Sequence, residues 1–147
     1  MGHSQDPGQL APLAPNAPID QPKAVKSAEV RKFEEAINPY VKKARKTYPD
    51  AKRRFLAGLP SGQVFFLSTR LSDSTGRWEQ VFIEVKEING GKVKGLIASE
   101  IESVSGYAHG DSYTFPESEL IDWTISKSDG TEEGNFVGKF LDTYKPN

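Results

Sequence analysis

The sequence predicts an α+β domain in which N-terminal short helices pack on a strongly bent antiparallel β-sheet of about six strands. Three observations predict it. Between Ser27 and Gly58, apolar residues recur three and four apart, at Val30, Phe33, Ile37, Val41, Ala44 and Tyr48, which marks one face of a helix. From Gln63 onward the rhythm changes to alternation and compact apolar runs, punctuated by turn dipeptides. No helical stretch separates those strands, which disfavours Rossmann and other doubly wound sheets.

Met1 to Pro22 hold five prolines, at Pro7, Pro12, Pro15, Pro18 and Pro22. Proline at that density sustains neither a helix nor a central strand, so residues 1–22 are expected to be a disordered, solvated lead-in. Met1 to Pro7 reads as an expression-tag remnant, so His3 is set aside. Leu10 to Pro22 reads as the Ala/Pro-rich tether that follows a cleaved export signal. A periplasmic or exported location is expected if a signal was removed, and a cytoplasmic one otherwise. Residues 23–147 are expected to form a single domain.

Asn38-Pro39 and Pro49 divide the periodic segment, which predicts three short helices over 27–37, 39–48 and 50–57, the last ended by Gly58. Phe55, Leu56 and Leu59 are expected to pack on the sheet. Gln63–Arg70 is a compact apolar run, the mark of a strand covered on both faces. Trp78–Glu87 alternates, with Val81, Ile83 and Val85 on one side and Gln80, Glu84 and Lys86 on the other. Asn89-Gly90-Gly91 is the strongest hairpin signal and leads into Lys92–Ala98. Later strands are predicted over Ser112–Phe115, Ile121–Ser126 and Asn135–Tyr144.

Composition narrows the chemistry. The chain has no cysteine, which excludes disulfides, thiol catalysis, thiolate zinc sites and iron–sulfur clusters. No apolar run approaches the roughly 18 residues a membrane helix requires. The net charge of −1 conceals a basic front, with 11 Lys or Arg against 4 Asp or Glu over residues 23–54. Residues 55–147 reverse the balance, 8 against 14. Lys42, Lys43, Lys52, Arg53 and Arg54 are therefore candidate anion-binding residues, while aromatic interleaving for base stacking is thin.

His109 precedes Gly110-Asp111 and could act as a general base oriented by Asp111, which is the hydrolase-type reading. The same residues fit a surface loop, and two ligands fall short of a zinc site. There is no Gly-x-Ser-x-Gly elbow and no phosphate loop. Glu117 with Glu119, and Glu132 with Glu133, fit exposed turns. Asp122-Trp123 is the most informative pair. On a strand its side chains point to opposite faces, so Trp123 can fill the core while Asp122 ties down a loop. Alternatively Trp78, Asp111, Asp122 and Trp123 surround a shallow groove that grips a partner, since tryptophan is enriched at binding hot spots.

Ala44-Arg45-Lys46-Thr47, Phe55-Leu56, the central hairpin, Gly110-Asp111, Phe115, Ile121-Asp122-Trp123 and Gly134-Asn135-Phe136 follow one another in a familiar order. In this respect residues 40–144 resemble the bacterial YegJ-like family, domain of unknown function 2314. The Asp-Trp pair and the glycine-led final strand are its most specific pieces. Ala98-Ser99-Glu100-Ile101 departs from the more polar stretch usual in the family. The resemblance implies fold and domain extent, and supplies no reaction, cofactor or substrate. The expected function is a bacterial, non-catalytic binding or accessory domain acting through protein contacts, of an immunity- or inhibitor-like kind. Its expected partner is an unidentified protein, with no cofactor, no metal, no membrane span and no nucleic acid. The alternatives are the His109–Asp111 enzyme and anionic-surface or nucleic-acid binding by the basic helices.

Overall fold

The computed structural model describes residues 11–19 and 27–143, with side chains of the first helix from Val30 onward. The expected tag remnant and Tyr144 lie outside the described residues. The α+β architecture is as the sequence predicts: one N-terminal helix and a six-stranded sheet whose neighbours all pair antiparallel. Helix α1 spans Ser27–Ala57. Then come β1 (Val64–Ser72), β2 (Trp78–Asn89), β3 (Lys92–Ile97) and β4 (Ser112–Pro116). A 3-10 turn at Glu117–Glu119 leads to β5 (Asp122–Ser126), β6 (Glu132–Gly134) and α2 (Phe136–Leu141).

Two predicted elements differ. The three short helices are one helix, with Pro39 and Pro49 inside it. Each proline forfeits one backbone bond and costs about 3 kcal/mol. Pro39 and Pro49 are exposed, as are Glu35 and Arg45 one turn earlier, so the freed carbonyls meet water. Meanwhile Phe33, Ile37, Ala44, Tyr48 and Ala51 form one buried stripe. At roughly 1.5–3 kcal/mol for each of the large side chains Phe33, Ile37 and Tyr48, burial of that stripe is of the same size as the two breaks and offsets them. In place of the predicted strand over Asn135–Tyr144, the described residues form a left-handed Asn135 (φ 55°) and helix α2, just after β6. Phe136, Val137, Phe140 and Leu141 recur with helical spacing, and that period prevails over the strand reading.

The strands run in the order β4-β3-β2-β1-β5-β6. A register shift at Val85/Glu87 marks a bulge, a device that bends and twists a strand locally. The connection from β4 to β5 reveals how far the sheet curls. Glu117 N donates to Gly91 O (2.9 Å) at the tip of the β2–β3 hairpin, while Glu119 O accepts from Thr69 Oγ1 (3.0 Å) in mid-β1. Thr69 pairs with Val81, which lies about 26 Å along an extended β2 from the hairpin tip. Two residues of chain reach only about 7 Å. The hairpin tip must therefore fold back over β1, giving the sheet a deep concave face.

Helix α1 fills that concavity. The cross-strand row Ile97–Ile83–Leu67–Trp123 packs with Phe65, Phe115 and Ile125 against Ala44, Tyr48 and Ala51. Phe55 stacks on Phe65 at 5.1 Å and Leu59 packs on the same core, whereas Leu56 is 58% exposed and does not reach the sheet. A second cluster joins Phe33 and Ile37 of α1 to Val137 and Leu141 of α2, with Tyr40 stacked on Phe140 at 4.5 Å.

Helix and closure are clasped together by polar bonds. Tyr48 Oη donates to Glu117 Oε2 (2.6 Å), Lys52 Nζ reaches the same oxygen (2.8 Å), and Arg45 Nε donates to Leu120 O (3.1 Å). Burial, reinforced by Glu117, pushes the Tyr48 phenol above its ordinary value, so it remains a donor across the physiological range. Tyr48→Phe, which keeps the ring and removes the donor, should lower unfolding stability by about 1–3 kcal/mol in urea titrations. An unchanged midpoint would show that the hydroxyl contributes nothing to the clasp.

Candidate functional site

Asp122 and Trp123 open β5 and point to opposite faces, as strand geometry requires. Trp123 enters the concave core, where its Nε1 donates to Thr47 Oγ1 (2.8 Å) and its ring meets Phe136 edge-on at 5.8 Å. Asp122 is fully buried on the convex side. Its Oδ1 accepts from Trp123 N (2.8 Å) and its Oδ2 from Val137 N (2.7 Å). The carboxylate thus caps the first turn of α2 from another element, where Asn135 makes no side-chain cap of its own. Burial pushes Asp122 up to about 7, against the pull of the backbone N–H groups of Val137, Trp123 and Phe136 and of Lys139.

The same corner dictates Gly134. Its φ is +76°, and a Cβ there would lie 2.3 Å from Trp123 O and 2.7 Å from the indole ring. Asn135 N then donates to Trp123 O at 2.7 Å. The Asp-Trp pair and the Gly-Asn-Phe run are therefore two halves of one joint, which holds α2 on the sheet.

Residues 11–19, expected to be solvated, lie against the convex face. Ala14 N donates to Glu84 Oε1 at 2.7 Å, and Glu84 Oε2 takes Lys86 Nζ at 2.6 Å. Asn16 to Ile19 flank a cavity of about 540 Å³ whose far wall includes Ser126, Lys127, Thr131 and Lys139. In the sheet register Glu84 pairs with Phe66 and Phe66 with Thr124, two residues from Ser126. A path from Glu84 to Ser126 therefore crosses β1 over Phe66. Glu84, Phe66 and Thr124 are 4%, 0% and 0% exposed, so this row is covered although α1 lies on the opposite face.

With this geometry described, comparison with protein families finds a match, over residues 34–143, to a family described as an uncharacterized protein conserved in bacteria, domain of unknown function 2314. The chain belongs to that family. Comparison with curated proteins and with solved structures gives no match. The joint of Asp122, Trp123 and Gly134–Phe136 and the row Glu84–Phe66–Thr124 all lie inside the family segment. Residues 11–19 lie outside it.

The other sequence-predicted residues do not converge. Asp111 sits just before β4, in line with Ile97, Ile83, Leu67 and Trp123, so four strand spacings of about 4.8 Å separate it from Trp123. Its carboxylate accepts from Ala108 N (3.0 Å), while His109 is exposed and faces Glu100 at 3.9 Å. The histidine is thus not oriented by Asp111. Trp78 is half-buried between Phe33 (6.0 Å) and the Arg70 guanidinium (4.1 Å). Of the four groove candidates, Asp122 and Trp123 are buried and have no surface to offer a partner.

Among the basic candidates, Lys52 pairs with Glu117, Arg53 with Asp50, and Arg54 with Glu133 through two 2.9 Å bonds. Glu133, held also by Lys127, is drawn down to about 2, chiefly by Arg54. Lys42 and Lys43 are exposed, with Lys43 over the Phe136 ring at 4.9 Å. Among the described residues no group of three or more His, Asp or Glu gathers as metal ligands, and no helix is long and apolar enough to cross a membrane.

Sequence reasoning missed Glu79. It is 1% exposed, and its carboxylate accepts from the consecutive backbone N–H groups of Glu102, Ser103 and Val104, the nearest contact being 2.8 Å from Ser103. The signal was parity: Glu79 shares the inward register of Val81, Ile83 and Val85, where a carboxylate must find donors.

Two measurements follow from these carboxylates. Asp122 has a folded value of about 7 against an ordinary 3.8, so its contribution is complete below about pH 3.8 and is lost as pH rises through about 7. The stability advantage of the parent chain over Asp122→Asn should therefore shrink between about pH 4 and pH 8 in urea titrations. A constant difference would contradict this assignment. Glu79→Ala should cost about 1–3 kcal/mol and raise hydrogen exchange at residues 102–104 while β1 and β2 stay protected. Unaltered exchange there would refute its role in holding the loop.

Proposed function

We propose that this chain is a non-catalytic binding domain that acts through protein contacts, and that the convex face of the sheet is the contact surface. One observation carries the reading: the Ala14 backbone N–H rests on the Glu84 carboxylate, 70 residues away in sequence. A sheet face that holds a distant segment by its main chain is suited to holding polypeptide. The residues with the strongest chemical potential are engaged in the fold itself. Asp122 and Glu79 hold backbone amides, and Lys52 and Arg54 are ion-paired. The partner surface thereby moves from the predicted tryptophan groove to the row through Glu84, Phe66 and Thr124.

Thr114 is exposed on this face, opposite Lys94, whereas Lys46 is exposed on α1. A photoreactive amino acid at position 114 of the full chain should crosslink to protein in the source bacterium, and the same probe at position 46 should not. Equal labelling from both positions, or none from position 114, would overturn the reading.

A further inference from the structure

We propose that the convex face is a receptor for an Ala/Pro-rich peptide, that residues 11–19 occupy it in cis, and that a foreign segment of the same chemistry displaces them. This rests on the reading that the domain works through protein contacts at this face, and it names the class of partner.

The occupant has a regular chemistry. Residues 11–19 are three consecutive Ala-Pro-x triplets: Ala11-Pro12-Leu13, Ala14-Pro15-Asn16 and Ala17-Pro18-Ile19. Prolines three apart restrict the backbone, here with a turn at Pro15–Asn16, so the segment loses little entropy on binding. They also leave few N–H groups, so each remaining donor is a strong determinant of register. Ala14 supplies the one that Glu84 accepts, at 2.7 Å.

The receptor is specialised for that donor. Glu84 is 4% exposed and is held by Lys86 at 2.6 Å, so the carboxylate is fixed in place with one oxygen aimed at the peptide. A buried carboxylate presented to a backbone amide reads main chain and tolerates any residue but proline at that position. Phe66 and Phe82 provide apolar floor on the same face. All these groups lie within residues 34–143, the segment that matches the family, whereas the occupant does not.

The cis segment also fits incompletely. Beside Ala17 and Pro18 the cavity of about 540 Å³ remains, walled by Lys127, Thr131, Glu132, Asn135 and Lys139. A methyl group cannot fill it. Its wall offers both ammonium groups and acceptor oxygens, so it suits a longer side chain that both donates and accepts. A partner carrying such a residue where this chain has Ala17 binds better than the chain's own segment, which makes the cis contact displaceable.

The test uses the full chain and a fluorescent nine-residue peptide with the sequence of residues 11–19. Ala14→Pro in the chain removes the cis donor at a position outside any helix or strand, just before the Pro15–Asn16 turn. Since a tethered segment competes at high effective concentration, the variant should bind the peptide about tenfold more tightly than the parent. A peptide carrying Ala17→Gln should bind the variant more tightly than the native-sequence peptide. Amide NMR spectra of both chains check that the fold is kept. Equal Kd values for parent and variant would overturn cis occupancy. Absence of binding to either chain, or equal binding of a scrambled peptide, would overturn the receptor. A chain that ignores these peptides yet still crosslinks protein from position 114 would refute the peptide class alone. Loss of both signals would refute the underlying reading as well.

Discussion

The turn between β4 and β5 is anchored at two points that a flat sheet would hold far apart: Gly91 at a hairpin tip and Thr69 in the middle of β1. Meeting both bonds forces the sheet to curl, and the curl creates the concavity that α1 fills. Tyr48, Lys52 and Arg45 then bind the closing turn to the helix through Glu117 and Leu120. Curvature, helix placement and core composition are consequently a single constraint. Opening the turn would expose Phe65, Leu67, Ile83 and Trp123 together, because all line the same concave surface. The two prolines of α1 are tolerated for the same reason, since continuity of the helix is needed to carry one stripe from the α2 contact into the concavity.

Buried carboxylates perform a second common task. Asp122 and Glu79 sit at opposite ends of the functional scale that sequence reasoning would assign them, one singled out and one overlooked, yet each gathers backbone N–H groups of a distant segment. Asp122 fixes the start of α2 and Glu79 fixes the loop after β3. Burial makes such charges costly, and the amide donors offset part of that cost. Glu84 resembles them in burial and differs in what it holds: a segment outside the family domain, seated on the convex face. This difference separates a carboxylate that completes the fold from one that can be offered to another chain.

Legibility followed the range of the interactions. The strands expected over 63–70, 78–87, 92–98, 112–115 and 121–126 lie within two residues of those at 64–72, 78–89, 92–97, 112–116 and 122–126, because alternation and turn residues are local signals. Asn89-Gly90-Gly91 marked its hairpin for that reason, with both glycines at positive φ. The division of α1 at Pro39 and Pro49 was misjudged because the compensating burial comes from residues far away in sequence. The last element was misjudged because Asn135 adopts φ 55° only with Gly134 pressed against Trp123 and Asp122 bonded to Val137. The proposed groove of Trp78, Asp111, Asp122 and Trp123 was not decidable from strand parity, which gives a face but not a position across the sheet. Strand order places Asp111 and Trp123 four strands apart.

By itself, the sequence determined the α+β class, the hairpins, the family and the absence of thiol chemistry, since composition and periodicity depend on residue type and near neighbours alone. Tertiary structure decided that α1 is continuous, that Asp122 and Trp123 are internal, that Glu79 is buried and that residues 11–19 rest on Glu84. The course of α1 depends on the curl of the sheet, which brings together groups 50 residues apart at the closing turn. No local pattern encodes that approach, because its free energy is shared among side chains from every strand it brings into contact.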